Sequence, residues 1–431
     1  MKRSFVFGIV TLALLLNLAV GASIYLKTAR VANEDDNASA NLTVLSEALK
    51  KVRNEYVDGK NLTYQQLVYS ALKGMVGKLD PHSEFLDADS FQQLQDDTEG
   101  QFGGLGLVVA LREGRITVVS PMDDTPGFRA GILAGDRIMK VDGKNVEKSP
   151  LSEVVKLLRG EPGSTVNLAV ARGTNDALNN FTLQRSIIQL PMVKDRNGKK
   201  QFPLGENKTG YVHITQFGEK TAEELEAALN KLKAQGMKGL VLDLRWNPGG
   251  LLEEAVEVCQ KFLPRGQLVV STEGRRGVME KYFAKGGDEL PGVPVVVLVN
   301  LGTASAAEIV SGCLQDLHRG YVVGEKTFGK GSVQTVFPLA DGSALKLTIA
   351  KYYTPSHKVI HQHGIMPDSL VPLTDNEEAM LIVKRSPGGA YALPDRERNL
   401  VENFRDEQLA RAEDLLQSLQ AYETLNGVTK K

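Results

Sequence analysis

Only two cysteines, Cys259 and Cys313, occur in 431 residues, and they are not in a paired, metal-type spacing. Each reads as a small apolar filler of a helix, with a disulfide between them as the alternative open to an exported protein. An excess of one charge is also missing. Lys and Arg number 51 against 52 Asp and Glu, a net charge of −1, so no basic face is offered to a nucleic acid. The six histidines come closest together at His361-Gln362-His363. No further ligand set stands at a recognisable spacing, so neither a metal nor another cofactor is expected. Long apolar runs are scarce too. The one that stands out, Phe5 to Leu26, follows Lys2 and Arg3 and reads as an export signal. Val20-Gly-Ala22 suits the end of a cleaved peptide, while the length of the run suits a spanning anchor. Either places the remainder outside the cytoplasm, in a periplasm or on the outer face of the cytoplasmic membrane.

The rest of the chain changes texture several times, as expected of two or three packed units. Residues 31–40 are a polar, acidic linker. Leu42, Leu45, Leu49, Val52 and Tyr56 then recur at spacings of three and four, an amphipathic helix. A second helix is expected from Tyr64 to Leu79, stopped by Asp80-Pro81; Asp80 and His82 read as structural. From Gln101 to about Arg185 the pattern becomes short strands and glycine turns. After Thr209 it is α/β. Tyr211–Gln216 alternates as a strand, Thr221-Ala-Glu-Glu224 reads as a capping box opening a helix that Gly236 closes, and Lys238–Arg245 is a second strand. Past Gln334 two β-like runs are split by the hairpin signal Asp341-Gly342, and residues 404–424 form a last amphipathic helix.

The stretch from Asn300 to Gln334 holds the candidate chemistry. The β-branched run Val293–Val299 reads as a buried strand, and Ile309, Val310, Cys313, Leu314 and Leu317 carry a helical period. Ser305 thus falls at a strand-to-helix turn, where a hydroxyl projects beside free backbone N–H groups. A serine nucleophile needs a base. Beside histidine, a lysine kept neutral by desolvation serves, and Lys330 stands between Gly329 and Gly331, where backbone can approach another element closely. From the residues alone, an ordinary helix start and an ordinary Gly-Lys-Gly loop fit at least as well.

Thr303-Ala-Ser305-Ala-Ala-Glu308-Ile, followed by Gly324-Glu-Lys-Thr-Phe-Gly-Lys330-Gly-Ser-Val-Gln334, resembles the active-site signature of the C-terminal processing peptidases, or tail-specific proteases. The resemblance implies Ser305 as nucleophile, Lys330 as general base and Gln334 as the residue that supports the lysine. Where the family often has a serine before the glutamate, this chain has Ala307. Leu79-Asp-Pro-His-Ser83, Asp243-Leu-Arg-Trp-Asn-Pro-Gly-Gly250, Tyr352-Tyr-Thr-Pro-Ser356 and Gly364-Ile-Met-Pro-Asp368 are similar to further family motifs, although His357 replaces the usual glycine. The Pro-Gly-Gly turn and Ser305 both follow C-terminal ends of strands, where α/β sheets build their sites. A backbone N–H of Gly249 or Gly250, with that of Ala306, suits an oxyanion.

Gly103-Gly-Leu-Gly-Leu107, Pro126–Gly131 and Gly135–Gly143 follow one another in the order of the PDZ domains of bacterial proteases. The resemblance implies that an extended peptide adds as a strand, with N–H groups of Gly104, Leu105 and Gly106 taking its terminal carboxylate. Leu105, Leu107, Val155 and Leu158 would line the last side chain's pocket or simply be core. Arg159 would pair with a carboxylate or cap its helix. The fold class implied is α/β, more fully a mixed α+β multidomain chain: a crotonase/Clp-like protease core with an inserted PDZ domain and helical N- and C-terminal segments. The expected divisions are 1–30 signal or anchor, 40–98 helical, 99–188 PDZ, 189–375 Ser-Lys core and 376–431 helical. The function implied is a serine endopeptidase that cleaves proteins near apolar C-termini, with an adaptor protein, a homodimer and membrane association as further expectations. The alternative is a non-catalytic PDZ peptide-binding scaffold on a protease fold.

Overall fold

The computed structural model describes residues 38–112, 114–173, 177–275, 277–385, 393 and 395–425. The apolar segment Phe5–Leu26 lies outside them. Among the described residues no helix is long and apolar enough to cross a membrane. The chain divides into two compact units at Phe85/Leu86.

The first unit contains α1 (Ala38–Glu55) and α2 (Tyr64–Val76). Thr63 and Gln66 form a reciprocal capping box that fixes the start of α2. Asp80 accepts the N–H groups of His82 and Ser83 and the Ser83 hydroxyl, so it shapes a turn. No residue of α1 is buried.

The second unit opens with α3 (Ala88–Glu99). A short strand, β1 (Gln101–Gly104), precedes the PDZ-like region. Its sheet runs β2 (Leu107–Arg112), β3 (Arg115–Pro121), β4 (Arg137–Val141), then, after α4 (Leu151–Leu158), β5 (Thr165–Arg172) and β6 (Ala177–Gln184), paired in that order. β7 (Ser186–Gln189) returns to pair with β1.

The region after residue 189 is built on a six-stranded sheet. β8 (Val193–Lys194) is antiparallel to β9 (Thr209–Ile214). After α5 (Thr221–Ala234), β10 (Gly239–Asp243) lies parallel to β9. Next come α6 (Leu252–Gln260) and the strands β11 (Leu268–Gly274) and β12 (Gly277–Phe283) of a second sheet. β13 (Val295–Val299), followed by α7 (Ala306–Asp316), and β14 (Tyr321–Gly324) extend the parallel ladder from β10. β15 (Ser332–Pro338) and β16 (Ala344–Tyr353) form the hairpin signalled by Asp341-Gly342, and β16 also pairs with β11. β17 (Ser369–Leu370) completes the main sheet beside β14, and α8 (Asp375–Arg385), α9 (Asp395–Glu402) and α10 (Glu407–Leu425) end the described chain.

Every residue of β10 and β13 is buried because both faces of the sheet are covered. Leu240, Leu242, Val295, Val297 and Val299 pack under α5, α6 and α7. The alternate residues Val241, Val296 and Leu298 pack against Leu409, Ala412 and Leu416 of α10. Each such side chain contributes about 1.5–3 kcal/mol by leaving water. One expected local detail does not form. Glu224 does not cap α5: its carboxylate reaches across to accept the N–H groups of Met192 and Val193 at 2.8 and 3.0 Å. The buried helix start is served from another element instead: Glu254 of α6 accepts the Ala222 N–H at 2.8 Å, which leaves Glu224 for the two donors at the strand start. Cys259 and Cys313 are free and buried, on α6 and α7. Burial, with Cys313 beside it, pushes the Cys259 thiol up.

Candidate active site

Three loops that leave the C-terminal ends of neighbouring strands meet at one place. They are Leu244–Leu251 after β10, Asn300–Ser305 after β13 and Glu325–Gly331 after β14. Ser305 is 6% exposed and sits at φ 55, ψ −118, a backbone region that costs of order 1–3 kcal/mol for a residue with a Cβ. Such strain at a strand-to-helix turn aims the hydroxyl out over the sheet edge. Ser305 lines a cleft of about 500 Å³ together with Lys330, Gln334, Gly250, Leu251, Leu252 and Tyr352. A wider groove of about 1340 Å³ lies where β13 and β14 begin and contains none of these residues.

The element that assembles the cleft is Glu308, fully buried on the first turn of α7. Its Oε2 accepts the N–H of Ser305 at 2.9 Å and that of Lys330 at 2.8 Å. Its Oε1 accepts from Gly329 N–H at 2.7 Å and from the Thr327 hydroxyl. Burial pushes the carboxyl above its usual range, against these four hydrogen bonds, which favour the charged form. The Ser305-x-x-Glu308 spacing of a capping box is visible in the sequence, but nothing in it says that the same carboxylate reaches the lysine loop 22 residues on. The close approach expected of the glycines beside Lys330 occurs. A Cβ on Gly331 would lie 2.2 Å from the His361 nitrogen, and Gly329 has φ 90.

Asn247, also fully buried, ties the other loop to the serine turn. Its carbonyl accepts from Ala304 N–H at 2.9 Å, its Nδ2 donates to Ile214 O, and its Oδ1 accepts from Gly249 N–H at 2.8 Å. Gly249 N–H is therefore spent within the loop. Among the described residues the N–H groups of Gly250 and Ala306 make no hydrogen bond. A Cβ on Gly249 would stand 2.6 Å from that of Ser305, and one on Gly250 would stand 2.1 Å from Phe217 O, so both glycines are needed for contact alone. Burial pushes the Tyr352 phenol up, and the Ser305 hydroxyl faces it. The Gln334 amide donates to Ser332 O and Oγ at 3.0 and 2.6 Å, at a bulge in the β15–β16 ladder.

The PDZ-like residues are placed as follows. Gly104, Leu105 and Gly106 are buried; Gly106 has φ 69 and packs on Thr125. Leu105 and Leu158 belong to that region's core, with Leu107 packed on its edge and Val155 half-buried on α4. Arg159 turns away from its own helix end. Its guanidinium lies 3.6 Å from Asp97 of α3 and over the Phe102 ring at 4.2 Å. Among the described residues no His, Cys, Asp and Glu cluster could hold a metal ion.

Residues 208–371 match the profile of peptidase family S41, and residues 103–183 match a PDZ domain. A carboxy-terminal-processing protease of Bartonella bacilliformis is 42% identical over 344 residues, which cover 79% of this chain and 77% of that one. The chain belongs to peptidase family S41. The carboxy-terminal processing protease CtpA of Bacillus subtilis is 36% identical over 332 residues, 77% of this peptidase and 69% of the relative. A solved photosystem II D1 C-terminal processing protease is 32% identical and matches 80% of this chain and 97% of its own, with a TM-score of 0.44. The peptidase is thus a serine peptidase of the carboxy-terminal processing family, with the mixed α/β architecture, PDZ domain and helical terminal segments expected from its motifs. Its PDZ domain and family go with peptide or protein substrates.

Proposed function

We propose that the peptidase cleaves proteins near their C-termini with Ser305 as nucleophile and Lys330 as general base. The observation that carries the reading is the strained Ser305 turn and the Lys330 loop, hung on one buried carboxylate and facing one cleft. A neutral lysine amine takes the Ser305 proton as Oγ attacks the scissile carbonyl. The oxyanion is received by the N–H groups of Gly250 and Ala306, which act best where water is excluded. The lysine then returns the proton to the leaving amine, and water repeats the cycle on the acyl-enzyme. Gln334 orients the lysine once Ser332 releases its amide. The PDZ domain grips the substrate's free C-terminus, preferring an apolar last residue. Export by the N-terminal segment, cleaved or as an anchor, belongs to the same proposal. So does an adaptor protein or a second copy covering α1, whose Leu42, Val44, Leu45 and Val52 are exposed.

The test is to incubate the protein lacking residues 1–30 with unfolded proteins ending in apolar residues, and to map the products by mass spectrometry. Cuts near the C-terminus that vanish in Ser305→Ala support the assignment. Products unchanged in that variant, or none from the unsubstituted protein, reject it, the second outcome in favour of a peptide-binding scaffold.

A further inference from the structure

The strand that leads into the oxyanion loop ends in a buried charge cluster that reaches the C-terminal helices, beyond residues 208–371 matched to the family. Arg245 is fully buried. Its guanidinium donates to both oxygens of Asp243, to both oxygens of Asp406 at the start of α10, and to Gln408 Oε1 at 2.9 Å. Every N–H of the fork is used, in the bidentate geometry that fixes position as well as charge. Arg385, the last residue of α8, donates to Asp243 Oδ2 at 2.6 Å and to the Tyr211 hydroxyl at 3.0 Å.

The next residue, Trp246, has φ 56, so its backbone is strained and must be held by neighbours. Its N–H donates to Asn300 Oδ1, and its indole Nε1 donates to Glu378 of α8 at 2.9 Å. The ring lies 5.4 Å from the Arg385 guanidinium, within cation–π range. Asn247 follows, and it ties Gly249 and Ala304 together. An unbroken set of contacts therefore runs from α8 and the start of α10, through Arg245 and Trp246, to the two loops that face the cleft.

We propose that Glu378 and Asp406 are positioning residues for the oxyanion loop, so that the C-terminal helices complete the active site from behind. This rests on the catalytic reading above. Helices that only covered the apolar face of the sheet would need Leu409, Ala412 and Leu416, not a five-donor guanidinium fork and an indole bond at the strained residue.

The experiment uses the single tryptophan of the chain, which is the contact itself. Glu378→Leu removes the indole's acceptor, whereas Glu378→Gln keeps an acceptor oxygen. Trp246 emission, kcat, KM and the rate of Ser305 labelling by a fluorophosphonate are measured for both, with melting temperature as the check on folding. The leucine variant should shift the emission and lower kcat and labelling about tenfold or more, on the scale of small displacements in a catalytic geometry. KM should stay within about twofold, since peptide contacts are untouched. The glutamine variant should restore most of both. An emission shift with unaltered kcat and labelling overturns the proposal, and so do leucine and glutamine variants that behave alike. If instead Ser305→Ala is labelled as fast as the unsubstituted protein, the nucleophile assignment has failed, while the emission still reports whether α8 holds Trp246.

Discussion

Ser305 and Lys330 hang their backbone N–H groups on the same atom, Oε2 of Glu308, at 2.9 and 2.8 Å. The spacing of the proposed nucleophile and the proposed base is thus tied to a third residue. Glu308→Gln presents an NH₂ to N–H groups on one side or the other, since both oxygens are in use. The expected cost is about 2–4 kcal/mol of stability, the scale of one or two buried donors left without partners. kcat should fall further than the melting temperature explains, because the loops separate before the fold fails. Thermal melts run beside steady-state kinetics read the two effects apart, and a proportional loss of both would show that Glu308 only holds the fold.

Protonating Glu308 has the same local effect, since a carboxylic acid offers its own O–H where the ion accepts. Its pKa is raised, first by burial, so Glu308 should add a loss of kcat/KM at a pH above the ordinary 4.5, beside the loss that comes when the proposed base Lys330 takes a proton. Stability runs the other way. A carboxyl whose folded pKa is raised binds its proton better in the fold, so its contribution is fully present below 4.5 and lost as pH rises through the raised value. Activity should therefore increase with pH in a window where this group costs stability. The absence of that added loss above 4.5 would remove Glu308 from the profile.

Gly249→Ala should abolish turnover. The added Cβ would stand 2.6 Å from the Ser305 Cβ, 2.8 Å from Ala304 O and 2.9 Å from Ala306 N, and φ is +97. All three are backbone or near-backbone atoms, so the serine turn itself must move. A control such as Gly287→Ala, which meets nothing within 4 Å, should retain activity. Both are checked by product formation and circular dichroism; near-normal turnover by Gly249→Ala would show that the loops are not held as tightly as the contact requires.

Much of this is legible in the sequence, and the reasons differ from residue to residue. The valine run of β13 and the small residues after it declare a buried strand and a tight turn, because period and residue size are local properties. Asp341-Gly342 declares a hairpin for the same reason. Glu308, Asn247 and Asp406 were not legible in their roles. Each acts on a residue brought near by sheet order, and a capping-box spacing or a polar residue in a loop looks the same with or without that partner. Glu224 shows the reverse failure: the capping-box spacing is there, but the carboxylate is taken by two N–H groups that only the fold brings within reach, and Glu254 serves the helix start instead.

Lys330→Arg should be as inactive as Lys330→Ala. A guanidinium stays protonated and cannot take the Ser305 proton, so the expected loss is about 10²–10⁴-fold, the usual share of a general base. Gln334→Ala should cost less: its amide donates to Ser332, and the role proposed for it is to orient the lysine, not to react. Single-turnover assays on a chromogenic peptide measure all three, with melting curves as the control. Substantial turnover by the arginine variant would take the base role away from the lysine.

The PDZ loop should discriminate a free C-terminus from a blocked one. Among the described residues the N–H groups of Leu105 and Gly106 make no hydrogen bond, and Gly106 at φ +69 leaves no room for a Cβ beside Thr125. Backbone donors left without an acceptor suit an ionised carboxylate, which forms strong charge-assisted bonds. An amide removes that charge and sets a donor against donors, so it should bind about 1–3 kcal/mol more weakly. Leu105 and Leu158 lie in the core of this domain while Leu107 and Val155 are half-buried, so the apolar preference should rest on the latter pair. Val155→Asp should weaken binding of a peptide ending in valine, and a peptide ending in aspartate should bind poorly to the unsubstituted protein, because a charge enters an apolar site. Calorimetry on Ser305→Ala measures these affinities without consuming the peptide. Equal affinity for acid and amide would end the terminus-reading role and leave the domain gripping internal sequence.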